Sequence, residues 1–147
     1  MIRCYAIPVA EPEPDETLSE AFWAVARQLR RLNREALAPW DVTPSQSRAI
    51  GVLVRHGPMR LSDLSEKLRI APRSTTEVVD ALQARGVVQR DPDPHDRRAT
   101  LVSLTGHGTE VATAIRATRD AGAEVFFSRL TAPDRTELTR ILGALRS

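Results

Sequence analysis

Arg73, Ser74, Thr76 and Glu77 follow closely on Pro72, and Arg97 and Arg98 follow a turn-forming run, Asp91-Pro92-Asp93-Pro94-His95-Asp96. Forked guanidinium groups and short hydroxyl donors near a helix start are the residue types that meet base edges in a major groove. A helix N-terminus itself favours a phosphate. Arginines beside a protruding turn can enter a narrow minor groove, where the negative potential is enhanced. These residues offer recognition of a polyanion rather than bond making. Serine, histidine and aspartate are all present, but His56, His95 and His107 are scattered and none sits in a base–nucleophile arrangement. An enzyme is therefore not expected. The single cysteine, Cys4, rules out an internal disulfide framework and any multi-cysteine zinc site, so no metal or cofactor is expected.

The elements that would position these residues follow from periodicity. Leu18, Phe22, Val25, Leu29, Leu32 and Ala36 recur at steps of four and three, which predicts a helix over about 17–37 that stops near Pro39. Arg27, Arg30, Arg31 and Arg34 fall mostly on its other side. Thr43-Pro44-Ser45-Gln46 reads as a capping box with proline at the first helical position. That second helix would bury Ala49, Ile50, Leu53 and Val54 and end at His56-Gly57-Pro58. A third, with Ser62 as cap, would bury Leu61, Leu64 and Leu68. After Arg69-Ile70-Ala71 a fourth starts at Pro72, with Thr75, Val78, Val79 and Leu82 inward. Its opposite side carries Arg73, Glu77, Asp80 and Ala84, flanked by Ser74 and Thr76. Glu77 and Asp80 would repel phosphates there, although a glutamate can accept from a cytosine amino group and Asp80 can pair with a nearby arginine. Val87-Val88 and Ala99–Leu104 predict two strands joined by a loop of about eight polar residues, with Arg97 and Arg98 near its protruding tip. Asp96 is placed to orient one of these arginines. Thr105 then caps a long helix, and Thr131 caps a last one carrying Leu138, Ile141, Leu142 and Leu145.

Two short helices, a tight turn and a following hairpin predict a mainly α fold with a small β-hairpin wing. This is a winged helix-turn-helix flanked by N- and C-terminal dimerisation helices. Residues 1–16 form an acidic, proline-rich arm, expected to be flexible, and 17–147 a single domain. Within it, 17–38 and 105–147 supply dimerisation helices and 43–104 the winged part. The stripes through Leu18, Phe22 and Val25 and through Leu138, Leu142 and Leu145 exceed what a small winged domain can cover alone, which predicts a homodimer.

The 147 residues carry 21 basic and 19 acidic side chains, a net charge of +2. Residues 1–20 hold Arg3 against Glu11, Glu13, Asp15, Glu16 and Glu20, a net of -4, which leaves +6 on the rest. Lys67 is the only lysine among these basic residues. Arginine suits bidentate contacts to phosphate and guanine, and a genome rich in G and C would produce the same bias. The longest apolar run, Ala21–Ala26, is far short of the roughly 18 residues of a membrane span. No membrane partner is expected, and without a secretory signal a cytoplasmic location is the default.

The stretch from Asp91 to Gly108 is similar to the wing signature of the MarR family of bacterial transcriptional regulators: an Asp-Arg-Arg turn, a strand ending in Leu-Thr, and a glycine three residues after the threonine. Val79-Asp80, Leu82, Gly86-Val87-Val88 and Arg90 resemble the family's passage from recognition helix to wing, and Leu61–Leu68 its preceding helix. The similarity runs from about Leu18 to Leu145. It implies a homodimer with interlocked first and last helices on a pseudo-palindromic operator in double-stranded DNA, most often as a repressor. It implies that Arg73, Ser74, Thr76 and Glu77 meet the major groove, and that Arg97 or Arg98 reaches the minor groove. Glu77 departs from the basic or amide residue that members often carry. The resemblance also implies a small aromatic anionic effector between dimer helices and winged domain, for which Trp23, Trp40 and Arg27 are the candidate contacts. Trp23, beside Phe22 in the apolar stripe, reads first as core packing. Some relatives sense oxidants through an N-terminal cysteine, which Cys4 could parallel, or it is an incidental thiol. The alternative to a DNA-binding regulator is a winged-helix protein-interaction module without DNA binding; steep salt dependence of DNA binding separates the two.

Overall fold

The computed structural model describes residues 15–146, the side chain of Arg97 excepted. The arm up to Pro14, with Cys4, lies outside the described residues. Helix α1 (Leu18–Leu37) starts at Thr17, whose hydroxyl accepts from the Glu20 N–H while the Glu20 carboxylate accepts from the Thr17 N–H at 2.8 Å. A 3-10 turn (Ala38–Trp40) leads to α2 (Pro44–His56), which carries the capping box expected of Thr43 and Gln46. Gly57 ends α2 at φ 75, a backbone that side-chain-bearing residues avoid. Then come β1 (Met59–Arg60), α3 (Leu61–Leu68), α4 (Pro72–Ala84), β2 (Val88–Asp93), β3 (Asp96–Leu104), α5 (Gly106–Phe127) and α6 (Ala132–Ala144). The strands form one antiparallel sheet in the order β1-β3-β2, with Met59 opposite Val102 and Val88 opposite Leu104.

The core joins the winged part to the start of α5. Leu64, Leu68, Thr75, Val79, Leu82, Val87, Val88 and Val102 are fully buried, and Ile50, Leu53, Val111 and Ile115 complete the cluster. Two close contacts lock the passage from sheet to α5. Thr105 donates its hydroxyl to the Gly86 carbonyl at 2.6 Å and accepts from the Gly108 N–H at 2.9 Å. A Cβ on Gly108 would stand 1.9 Å from the Val87 carbonyl oxygen, so only glycine lets α5 begin there. The outer helices contribute little to this core: in α1 only Leu37 is buried, and in α6 nothing is.

Three expectations need correction. Val54 is 54% exposed, because α2 turns Ala49, Ile50 and Leu53 inward and leaves Val54 at the stripe's edge. Ser62 does not cap α3: the helix begins at Leu61, two residues earlier than a Ser62 cap would place it, with Arg60 as an N-cap that makes no side-chain bond. That start is fixed by β1, a third strand too short to announce itself by alternation. The hairpin loop is not eight polar residues; only Pro94 and His95 separate β2 from β3. The sheet runs on because β2 is an edge strand with a register shift at Pro92/Asp93, so proline's missing N–H breaks no central ladder. Trp40, in the 3-10 turn, packs half-buried against the core cluster.

Candidate nucleic-acid interface

The helix-turn-helix is held by bonds from side chains to the turn's carbonyls. Arg48 Nη2 donates to the Leu68 carbonyl at 2.6 Å, and Ser65 Oγ to the Ile70 carbonyl at 2.8 Å. Arg69 closes α3 in the left-handed region at φ 54. Helix α4 then enters with no side-chain cap, which leaves its first N–H groups free of a capping oxygen. Thr75, Val79 and Leu82 face inward, so Arg73, Thr76 and Glu77 face outward, with Ser74 half-buried at the margin. Arg73 is 91% exposed at its side chain and meets Glu77 Oε1 through Nε at 3.3 Å. The Thr76 hydroxyl donates to the Pro72 carbonyl at 3.1 Å, keeping its lone pairs available to a donor.

The carboxylates on this side are partnered. Asp80 accepts from Arg90 Nη2 at 2.6 Å, as its position on the wheel allowed, and Arg90 also donates to Gln83. Arg90 lies on β2, so this pair ties the wing to α4. The wing's turn has a second fastening. Arg60 on β1 gives Nη2 to Asp93 Oδ2 at 2.7 Å and Nε at 3.0 Å. Asp93 also accepts the His95 N–H at 2.9 Å. First this backbone bond and then the Arg60 guanidinium hold the Asp93 carboxyl below the usual aspartate range. Asp96 accepts the Arg98 backbone N–H at 3.1 Å and faces Arg60 Nη2 at 3.4 Å, so among the described side chains it braces the turn rather than the Arg98 guanidinium. The exposed Arg98 side chain follows directly on this braced turn, in β3, while the side chain of Arg97 is outside those described. Among the described residues no cluster of histidine, cysteine and acidic side chains could hold a metal ion, and no helix is long and apolar enough to cross a membrane.

A profile described as the MarR family matches residues 40–99, from the 3-10 turn through the start of β3. The HTH-type transcriptional regulator Mb0904 of Mycobacterium bovis is 35% identical over 120 residues, covering 82% of this chain and 79% of that one. This chain belongs to the MarR family. A more distant relative, the HTH-type transcriptional repressor MdtR of Bacillus subtilis, is 25% identical over 134 residues, covering 89% and 86% of the two chains. The crystal structure of RV1404 from Mycobacterium tuberculosis superimposes with a TM-score of 0.79 at 28% identity, over 92% of this chain and 93% of that one. MarR-family regulators bind DNA and are dimers. The chain is accordingly a winged-helix transcriptional regulator and not an enzyme.

Outside the MarR winged part, Phe22 shares an apolar cavity of about 650 Å³ with Phe127, Leu138, Leu142 and Leu145. Leu18, 88% exposed, and Val25 stand clear of it, as does Val125 on α5. Trp23 and Trp40 do not line one crevice. Seventeen positions separate them along α1 and its 3-10 extension, roughly 25 Å at helical rise. Trp23 is not core either: it is 52% exposed, edge-on to Phe22, with the Arg30 guanidinium 5.8 Å from its ring centroid. Arg27 shares a cavity with Trp23, but Asp15, Glu16 and Glu20 line it too, which disfavours an anion there. The residues missed by sequence reasoning are Arg60, Asp93 and Arg90 in their bracing roles. Arg60 and Asp93 lie 33 positions apart, so no local spacing could have paired them.

Proposed function

We infer that this chain is a homodimeric repressor of a pseudo-palindromic operator, with α4 of each protomer in a major groove and each wing reaching an adjacent minor groove. The observation that carries this reading is the uncapped start of α4, which offers an almost fully exposed Arg73 beside Thr76 and Glu77 while Arg90 fastens the wing alongside. The pairing of Glu77 with Arg73 and of Asp80 with Arg90 removes the main support for a protein-interaction module, since both carboxylates have local counter-charges. Ser74 and Glu77 read base edges at the groove's margin, and Arg97 and Arg98 serve the wing. The repressor sense follows MdtR, whose name states it.

Dimerisation through α1 and α6 covers Leu18, Phe22, Val25, Leu138, Leu142 and Leu145. An aromatic anionic effector binds on the arginine side of Arg27 rather than between the two tryptophans, and shifts DNA affinity only if it favours one spacing of the winged parts. Salicylate should quench tryptophan fluorescence and release DNA; quenching without release would leave binding without regulation. The operator reading is tested by fluorescence anisotropy on DNA upstream of the chain's own gene. Arg73→Ala and Arg98→Ala should each weaken binding and flatten the salt slope by about one unit per lost phosphate contact. Binding that is independent of salt would overturn it.

A further inference from the structure

Helix α1 and its 3-10 extension end at Trp40. The last carbonyls of a helical run lack partners within it and carry the negative end of its dipole. The 3-10 turn has no basic residue of its own to answer them. Arg85 does so from 44 and 45 positions away: its Nη1 donates to the Asp41 carbonyl and its Nη2 to the Trp40 carbonyl, each at 2.5 Å. A planar guanidinium can hold two acceptors at once in this way, where a lysine offers a point charge. Both sides of the clasp are anchored. Trp40 packs half-buried against the core cluster, and Val42 belongs to it. Asp41 between them turns the chain in the left-handed region, at φ 50. On the other side Arg85 is the C-cap of α4, and the next two N–H groups fold back onto that helix, Gly86 to the Gln83 carbonyl and Val87 to the Leu82 carbonyl, both at 2.9 Å. The Thr105 hydroxyl at the head of α5 holds the Gly86 carbonyl. The last turn of α4 is thus tied to the end of α1 through Arg85 and to the start of α5 through Gly86.

Twelve positions separate Arg85 from Arg73, roughly 18 Å at helical rise, so the clasp sits at the far end of α4 from its groove-facing start. That end is where a lever is set. A tilt of about 10° there carries Arg73 roughly 3 Å, about the rise of one base pair. We propose that Arg85 is a positioning residue for operator recognition: by clasping Trp40 and Asp41 it fixes the angle of α4 against α1, and thereby the half-site spacing that two α4 helices accept. The spacing consequence rests on the operator reading above; the angle does not.

Two measurements on the full chain test the two halves separately. The first needs no DNA. Nitroxides at Arg31→Cys on α1 and Thr76→Cys on α4, in a Cys4→Ser background and diluted with unlabelled chain, report the distance between the helices by double electron–electron resonance. Arg85→Ala should widen that distribution by roughly 3 Å, the excursion of a 10° tilt. Arg85→Lys, which keeps the charge without the fork, should fall between alanine and parent, and it carries the test if the alanine chain does not fold. A distribution unchanged in Arg85→Ala, or fully restored by lysine, overturns the proposal. The second measurement is anisotropy on a duplex selected from random-sequence DNA by the parent chain, and on the same duplex with one base pair inserted or removed between its half-sites. Arg85→Ala should bind the selected duplex about 3–10-fold more weakly, the scale of an exposed charged hydrogen bond, and lose most of the parent's spacing preference. Its affinity for a single half-site and its salt slope should not change. A slope lower by about one unit would make Arg85 a phosphate contact, and an intact spacing preference would place the control of spacing elsewhere; either overturns the proposal. If the parent selects no duplex, the operator reading falls, and the distance measurement decides the role of Arg85 by itself.

Discussion

Gly108 shows how a single residue type can be required by a contact far from any binding face. It sits in the first turn of α5 against the Val87 carbonyl, where an added Cβ would come within 1.9 Å of the oxygen. The obstructing atom is backbone, fixed by the Thr105 N–H at 3.1 Å, and cannot swing away. Gly108→Ala should therefore cost at least the roughly 1–3 kcal/mol of overpacking, a fall in Tm of roughly 4–12 °C by thermal unfolding. An unchanged Tm would show that the passage from β3 to α5 is looser than this. Arg60 and Asp93 act at the same scale on the wing. Because the Asp93 carboxyl titrates below its unfolded value, its contribution is present above that value and is lost as pH falls through the depressed one. The wing's turn should then survive acid to below the ordinary aspartate range. In Arg60→Gln the Asp93 titration, followed by carboxyl NMR shifts, should move upward. It should stay partly depressed, because the His95 N–H, the larger cause, remains.

At the scale of elements, helices were legible where capping chemistry marks them and strands where alternation does. Thr43, Gln46, Gly57, Pro72, Thr105 and Thr131 all act as their local chemistry dictates, since a cap depends on residues three positions apart at most. The start of α3 was not legible, because a strand of two residues paired with distant β3 sets it. The length of the wing was hidden for the same reason: Asp93 and Asp96 look like loop residues until Arg60 and an edge position give them a ladder to join. The exposed side of α4 could be read from its period, whereas the bracing of α4 by Arg90 depended on the path of β2. That brace is testable as a pair. Arg90→Gln exposes the Asp80 charge to phosphate and loosens the wing, and should lower operator affinity about 2–5-fold, the scale of a partly exposed ion pair. Asp80→Asn added to it should recover part of the loss. If the two substitutions are simply additive in anisotropy titrations, the pair does not couple helix to wing.

Across the whole molecule, apolar side chains collect away from the core. Leu18, Phe22 and Val25 on α1, Val125 on α5, Ile141 on α6 and Leu145 at its C-cap are all exposed, Leu145 at 74%. A single chain leaves this surface wet, and contiguous patches of this kind mark association sites. Helix α6 buries nothing of its own, yet its leucines share a cavity with Phe22 and Phe127 from α1 and α5, so the three helices present one surface. In the proposed dimer that surface meets its own copy, because a two-fold contact is self-complementary. Phe22→Asp and Leu142→Asp should each give monomers by sedimentation, with the winged part still folded, since neither residue belongs to the core cluster. The loss then reaches DNA. Two linked α4 helices engage half-sites about one turn apart, roughly 34–36 Å centre to centre, or a multiple of it. Separating them removes the effective concentration that couples the second half-site to the first, commonly worth 10²–10⁴ in affinity. Binding to a single half-site should change far less. A Phe22→Asp chain that stays dimeric, or a monomer that holds the full operator as tightly as the parent, would place the two-fold axis elsewhere.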